Sequence, residues 1–258
     1  MVADTKTVTL LAPGEPPSFT VINPAGTSPL VLVCDHANNR VPKKLADLGL
    51  SPAELATHIA WDPGAALVAR ALSKELDAAL VLSEYSRLVI DCNRPLESPQ
   101  LVAESSAGTL IPGNRALSAA ERDSRILEVF QPYHDAVRDL LQQRTKPTAL
   151  LSMHSFTPQL HDEPRPWHIG VAWYRDDRLA RALFAALAAN KGITVGLNQP
   201  SAVETEFDYT IPEHGEGRGL PSAMVEIRQD CISSTVEADR WARRLAEAWC
   251  EVEPTLLS

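Results

Sequence analysis

L-V-L-V-C-D-H-A-N-N-R-V-P, residues Leu30 to Pro42, opens on a run of apolar β-formers, Leu30 to Cys34, and breaks off into Asp35 and His36. Unbroken apolar runs of this kind mark strands covered on both faces, as in parallel α/β sheets, where polar residues that carry chemistry gather beyond the strands' C-terminal ends. Two later stretches read the same way. Ala149 to Met153 runs into His154-Ser155, and Leu88-Val89-Ile90 runs into Asp91-Cys92-Asn93-Arg94. Three buried strands finishing in His, Asp, Asn and Arg point to one convergent polar site.

Outward from these stretches the chain alternates. Thr7 to Leu11 and Phe19 to Ile22 read as edge strands on either side of the turn residues Gly14-Glu15-Pro16-Pro17. A short helix spans Lys43 to Leu48; Ser51-Pro52 caps and opens the next, and Asp62-Pro63-Gly64 interrupts it before an apolar-striped helix, Ala65 to Leu76. Strands follow at Leu80 to Ser83 and Arg87 to Asp91, then a long loop, 95–116. Ser118-x-x-Glu121 is a capping box opening a helix to about Gln143, with Ile126, Leu127, Phe130, Tyr133, Val137 and Leu141 at helical spacing. Beyond the His154 strand come a strand at Trp167 to Trp173, a helix at Asp177 to Asn190 and a strand at Ile193 to Leu197. A second long polar loop, Asn198 to Pro221, precedes the last strand, Ala223 to Ile227, which carries Glu226 and runs into Arg228; a helix from about Val236 to Glu251 closes the chain. The alternation predicts a single three-layer α/β domain over residues 1–258, a mixed, mainly parallel sheet with helices on both faces.

With 45% hydrophobic and 22% charged residues the composition is that of a globular protein, and the net charge of −9 argues against a nucleic-acid surface. It leaves room for a small carboxylate ligand, which a few clustered arginines bind locally. The four cysteines, Cys34, Cys92, Cys231 and Cys250, form no C-x-x-C pair and read as reduced thiols. No apolar run is long enough for a signal peptide or a membrane span, so a cytoplasmic protein without membrane contact is expected.

No G-x-G-x-x-G follows a strand and no G-x-S-x-G elbow occurs, which argues against nucleotide binding and serine-nucleophile chemistry. His36 and His154 with one carboxylate read instead as a catalytic zinc shell that leaves a position open for water. Arg87, Arg94, Arg115 and Arg228 lie at strand ends or in the loop expected to cross the site, where guanidinium forks would hold a dicarboxylate; some are also placed to pair with Asp91, Asp230 or Glu84. His168 and His214 stand as further candidates for orienting substrate or stabilising a tetrahedral intermediate. His58, His134 and His161 read as solvated or capping residues. The acidic group Glu204, Glu206 and Asp208 reads as a solvated loop in a lid position.

Cys34-Asp35-His36-Ala37-Asn38-Asn39-Arg40-Val41-Pro42, Ala60-Trp61-Asp62-x-Gly64-Ala65, Tyr85 to Arg94, Ile111-Pro112-Gly113-Asn114-Arg115 and Met153-His154-Ser155-Phe156 together resemble the N-formylglutamate amidohydrolase family; Trp167 to Gly170 and Val225 to Asp230 extend the resemblance to most of the chain. It implies a fold like that of the zinc exopeptidases and acyl-amino-acid deacylases, and hydrolysis of an N-acyl amino acid such as N-formyl-L-glutamate. It further implies that His36 and His154 bind zinc, that Asn93 and Arg94 hold the substrate carboxylate, and that Glu226 is the general base; Asn114 is a further substrate-binding candidate. The sequence departs from that pattern at Asn39, a neutral amide where such enzymes place a zinc-binding Glu. Asp62 is the expected replacement, with Asp35 its rival. Two other readings follow: a carboxypeptidase-like hydrolase or deacylase of another N-acyl group, or a binding protein that lost its metal through Asn39.

Overall fold

The computed structural model describes residues 9–160 and 162–258, so the start of the Thr7 to Leu11 stretch and His161 lie outside the described residues. The main sheet has seven strands: β1 (Phe19–Ile22), β2 (Leu30–Cys34), β3 (Ala79–Ser83), β4 (Ala149–Phe156), β5 (Ile169–Ala172), β6 (Val195–Leu197) and β7 (Ser222–Arg228). Their order is β1-β3-β2-β4-β7-β5-β6. The centre, β3-β2-β4-β7, is parallel; β1 joins β3 antiparallel, and β5 joins β7 antiparallel while pairing parallel with β6. The expected mixed, mostly parallel sheet is therefore present.

Alternation along β2 decides the layers. Leu30, Leu32 and Cys34 face helices α1 (Ala65–Leu76), α3 (Arg178–Ala188) and α4 (Thr235–Leu256), where Trp241 and Trp249 are buried. Val31 and Val33 face the opposite layer, against Tyr133, Val137, Leu140 and Leu141 of helix α2 (residues 119–142). Each such side chain contributes about 1.5–3 kcal/mol on burial. Helix α2 starts at the Ser118 capping box, Ala119–Arg125, passes through a π-helical segment, Ile126–Phe130, and continues as Gln131–Gln142. Pro132 has no N–H to give to the ladder, and the π segment accommodates it. The altered register leaves Leu127, expected in the buried stripe, 56% exposed.

Among the described residues, two expected strands do not form. Leu10 and Leu11 pair with no strand; their N–H groups donate to the Glu128 carboxylate at 2.5 and 2.9 Å. Arg87 to Asp91 is a buried turn whose N–H groups go to loop carbonyls, Arg87 to Ala60 and Asp91 to Leu101. Its apolar residues, Leu88, Val89 and Ile90, fill a satellite core beneath the loops. Lys43–Gly49 is a 3-10 turn broken by left-handed Ala46, Asp47 and Leu48.

Gly64 caps the N-terminus of α1 at φ +84°, and a Cβ there would lie 2.5 Å from the Ile232 carbonyl oxygen. Gly64→Ala is expected to cost about 1–3 kcal/mol from backbone strain, or several degrees of thermal midpoint. An unchanged melting curve would show that the turn rearranges freely.

Candidate metal centre and its cavity

His36 leaves the end of β2, His154 lies within β4, and Asp62 comes from the turn before α1, its N–H donating to the His36 carbonyl at 3.0 Å. Nδ1 of His154 is 2.9 Å from Asp62 Oδ2, and Nδ1 of His36 is 3.5 Å from the same oxygen. All three residues are buried, and one ligand atom from each falls within 4.8 Å of the others. His36 Nδ1 has no hydrogen-bond partner among the described residues, an orphaned polar atom that burial makes costly. Two imidazole nitrogens and one carboxylate oxygen around such an atom fit a zinc-type divalent ion with an open position.

The far nitrogen of each imidazole meets a second carboxylate. His36 Nε2 lies 2.7 Å from Asp91 Oδ1, and His154 Nε2 lies 3.1 Å from Asp35 Oδ2. Donation from Nε2 fixes the tautomer that leaves Nδ1 free to ligate. Asp35 is itself held by the hydroxyls of Tyr133 (2.7 Å), Ser152 (2.9 Å) and Thr210 (2.7 Å), and Asp91 by the Arg87 guanidinium at 2.6 Å. Burial opposes ionisation at Asp35, Asp62 and Asp91, but the histidines and, for Asp91, foremost Arg87 hold all three well below the usual carboxylate range. Burial also pushes the His154 imidazole down; its bonds to Asp35 and Asp62 outweigh this and carry it up to about 10. The cluster thus favours a positive charge among its carboxylates. Asp35→Asn is expected to weaken zinc affinity about 10- to 100-fold by freeing the His154 ring, measured by competition with a chromophoric chelator; unaltered affinity would refute the orienting role.

His36, Asp62 and His154 border a cavity of about 420 Å³ that also takes in Arg87, Arg94, Asp208 and Glu226. Glu226 of β7 sits in register with His154 of β4. It is 8% exposed and its Oε2 has no partner. Burial pushes its carboxyl up to about 7, with His154 pulling the other way and Asp62 and Asp208 adding to the rise. A carboxyl poised there can both accept and return a proton near neutrality.

The other sequence-derived site residues divide. Arg87 and Arg94 line the cavity. Arg87 is spent on Asp91, whereas Arg94 reaches the backbone carbonyls of Asn93 and Phe207 and keeps a buried, unpartnered Nε. Asn93 lines the cavity too, but its amide clamps the 204–210 loop: Nδ2 donates to Asp208 at 2.8 Å, and Oδ1 accepts from Tyr209 and Thr210 N–H, both at 3.0 Å.

Five expected residues lie elsewhere. His214 is buried beyond the cavity wall, stacked on His134 with Nε2 2.9 Å from His134 Nδ1; burial lowers both imidazoles, to about 4 and about 3, so His134 is not solvated either. Asn114 is a structural brace, donating to the Leu88 and Ala103 carbonyls and accepting from Arg125. Arg115 is exposed at the end of a 3-10 turn. His168 accepts the Thr194 N–H, and Arg228 pairs with Asp230 and reaches the Arg165 and Trp167 carbonyls. Asn39, at the departure from the family pattern, turns away and donates to the Leu55 carbonyl. The sequence reading missed Asp91 as a histidine partner, Ser152 and Tyr133 as supports for Asp35, and Asp208 as a buried wall residue. Ser152 was detectable: it stands two residues before His154 on an otherwise apolar strand, hence on the same face.

Comparison with known proteins agrees with the resemblance. The N-formylglutamate amidohydrolase family matches residues 28–233. An N-formylglutamate deformylase of Pseudomonas aeruginosa is 32% identical over 145 residues, 49% of this chain and 54% of that protein. The chain thus spans about half the length of the curated relatives it matches. Among solved structures, a gene product of Agrobacterium tumefaciens superposes with a TM-score of 0.90 at 37% identity, covering 95% of this chain and 99% of that one. The N-formylglutamate amidohydrolase of Ralstonia eutropha superposes at 0.65 with 22% identity, covering 93% and 98%, a likeness of fold. With the family matched across most of its length, the chain belongs to the N-formylglutamate amidohydrolase family of hydrolases.

Proposed function

We propose that this chain is a zinc-dependent hydrolase of N-formyl-L-glutamate or a close N-acyl amino acid, releasing formate and glutamate in the first case. The observation that carries this reading is the buried convergence of His36, Asp62 and His154 in the same cavity as the proton-poised Glu226. Nδ1 of each histidine and Oδ2 of Asp62 would hold the ion. Bound there, zinc lowers the pKa of water to ~7 and polarises the acyl carbonyl. Glu226 takes the proton of the attacking water at Oε2 and returns it to the leaving amine nitrogen. Arg94, with its unpartnered Nε, binds a substrate carboxylate. Asp62 would supply the carboxylate that Asn39 does not, which favours the hydrolase over a binding-only reading. Free thiols at all four cysteines fit a reducing, cytoplasmic setting, and no helix among the described residues is long and apolar enough to cross a membrane.

The test is formate release from N-formyl-L-glutamate by purified protein, assayed as isolated, after chelation and after zinc is restored. Activity lost with the metal and regained with zinc is expected. No formate from folded, zinc-loaded protein would defeat this substrate assignment.

A further inference from the structure

The 204–210 loop is tied to both carboxylates that stand behind the histidines. On one side, the Asn93 N–H donates to Asp91 Oδ1 at 2.9 Å, the same oxygen that His36 Nε2 meets at 2.7 Å. Asn93 Oδ1 in turn accepts the Tyr209 and Thr210 N–H groups, both at 3.0 Å. On the other side, the Thr210 hydroxyl donates to Asp35 Oδ1 at 2.7 Å, and the second oxygen of that carboxylate lies 3.1 Å from His154 Nε2. A continuous chain of hydrogen bonds therefore runs from Asp91 through Asn93 and Thr210 to Asp35, joining the back of one histidine to the back of the other. Thr210 is fully buried and stands behind the cavity lining, to which its own loop gives Glu204, Phe207 and Asp208. The hydroxyls that hold Asp35 differ in origin. Ser152 belongs to β4 and Tyr133 to α2, whereas Thr210 comes from the loop, just before a short π-helical segment, Ile211–Gly215. With Tyr133 and Thr210 both on Oδ1, the carboxylate plane is fixed and Oδ2 stays directed at the His154 ring; losing one donor leaves a buried acceptor underserved and frees the plane to turn.

We propose that Thr210 is a positioning residue of the metal centre: through Asp35 it fixes the His154 ring, and through Asn93 it makes the seating of the 204–210 loop and the binding of a zinc-type ion mutually dependent. The inference rests on the metal reading of the triad given above. Thr210 touches neither ion nor substrate, and its effect passes entirely through Asp35 and Asn93. By linkage, whatever the seated loop adds to ion affinity, the bound ion adds to the seating of the loop.

The experiment measures zinc affinity by competition with a chromophoric chelator in the wild type, in Thr210→Val, which keeps the shape and removes the hydroxyl, and in Thr210→Ser, which keeps the hydroxyl, with thermal melts to check folding. Thr210→Val is expected to bind zinc about ten-fold more weakly and Thr210→Ser to stay within about two-fold of the wild type. Equal losses in the two variants would mark a packing role, and that result, or a folded Thr210→Val with wild-type affinity, would overturn the proposal. Should Thr210→Val fail to fold, amide hydrogen exchange of the wild type decides. Zinc is expected to slow the Tyr209 and Thr210 amides about five-fold or more beyond its effect on α3, a helix that gives no residue to the cavity. Equal slowing in the two segments would overturn the coupling. Zinc bound as expected but without formate release would defeat the substrate assignment and leave the role of Thr210 standing. No zinc on folded wild-type protein would defeat the metal reading, and this proposal with it.

Discussion

Asp62→Asn is expected to leave the protein folded but with well under one zinc per chain and kcat/KM reduced about 10³-fold or more, the loss of several kcal/mol of transition-state stabilisation. The reason is geometric. Among the described residues, Asp62 Oδ2 is the one carboxylate oxygen paired with Nδ1 of both histidines, at 2.9 and 3.5 Å. Asp35 and Asp91 touch the same rings from behind, at Nε2. An amide at position 62 presents a poor ligand and withdraws the charge that offsets a buried cation. The contrast with Asp35→Asn is the informative part: that variant keeps the ligand set and loses only orientation. Metal analysis of the two proteins side by side checks it, and equal zinc content in both would reject Asp62 as the third ligand.

Glu226→Gln should lower kcat by about 10²- to 10⁴-fold with little change in KM, the range for loss of a positioned general base. Its pH dependence has a definite sign. Burial raises the Glu226 carboxyl to about 7 in the folded protein. The base works only when ionised, so wild-type activity should rise with pH through a limb centred at or below about 7, a bound dication drawing it lower. In the Gln variant that limb should vanish from the residual activity. Stability moves oppositely: a carboxyl with a raised folded pKa stabilises the fold below its unfolded value and loses that contribution as pH rises through the folded value. Gln mimics the protonated carboxyl, so at pH about 8 the variant should resist urea at least as well as the wild type. Activity lost through misfolding would instead appear as a lower urea midpoint.

Local patterns were sufficient for much of the fold. The apolar run Leu30–Cys34 could only be a strand covered on both sides, and it is buried at every position. Ser51 and Ser118 form the capping boxes their spacing announces. Where side-chain hydrogen bonds or backbone chemistry intervened, pattern failed. Leu88-Val89-Ile90 has strand composition yet forms a turn, its first two N–H groups going to the hydroxyl and the carbonyl of Ser86 rather than to a neighbouring strand. Leu127 obeys helical spacing yet is exposed, because the π segment before Pro132 shifts the register.

The sequence by itself determined the sheet's central strands and put His36 just past one of them and His154 on another, since these follow from short-range periodicity, while the assignment of Glu226 followed from the family resemblance. Only the tertiary structure decided which carboxylate joins the histidines, which arginine stays unspent, and that His214 and Asn114 serve packing rather than chemistry. Those outcomes turn on which buried polar atoms meet across loops far apart in the chain. At such contacts a hydrogen bond formed with one partner removes the group from every other use, and no local pattern records that competition.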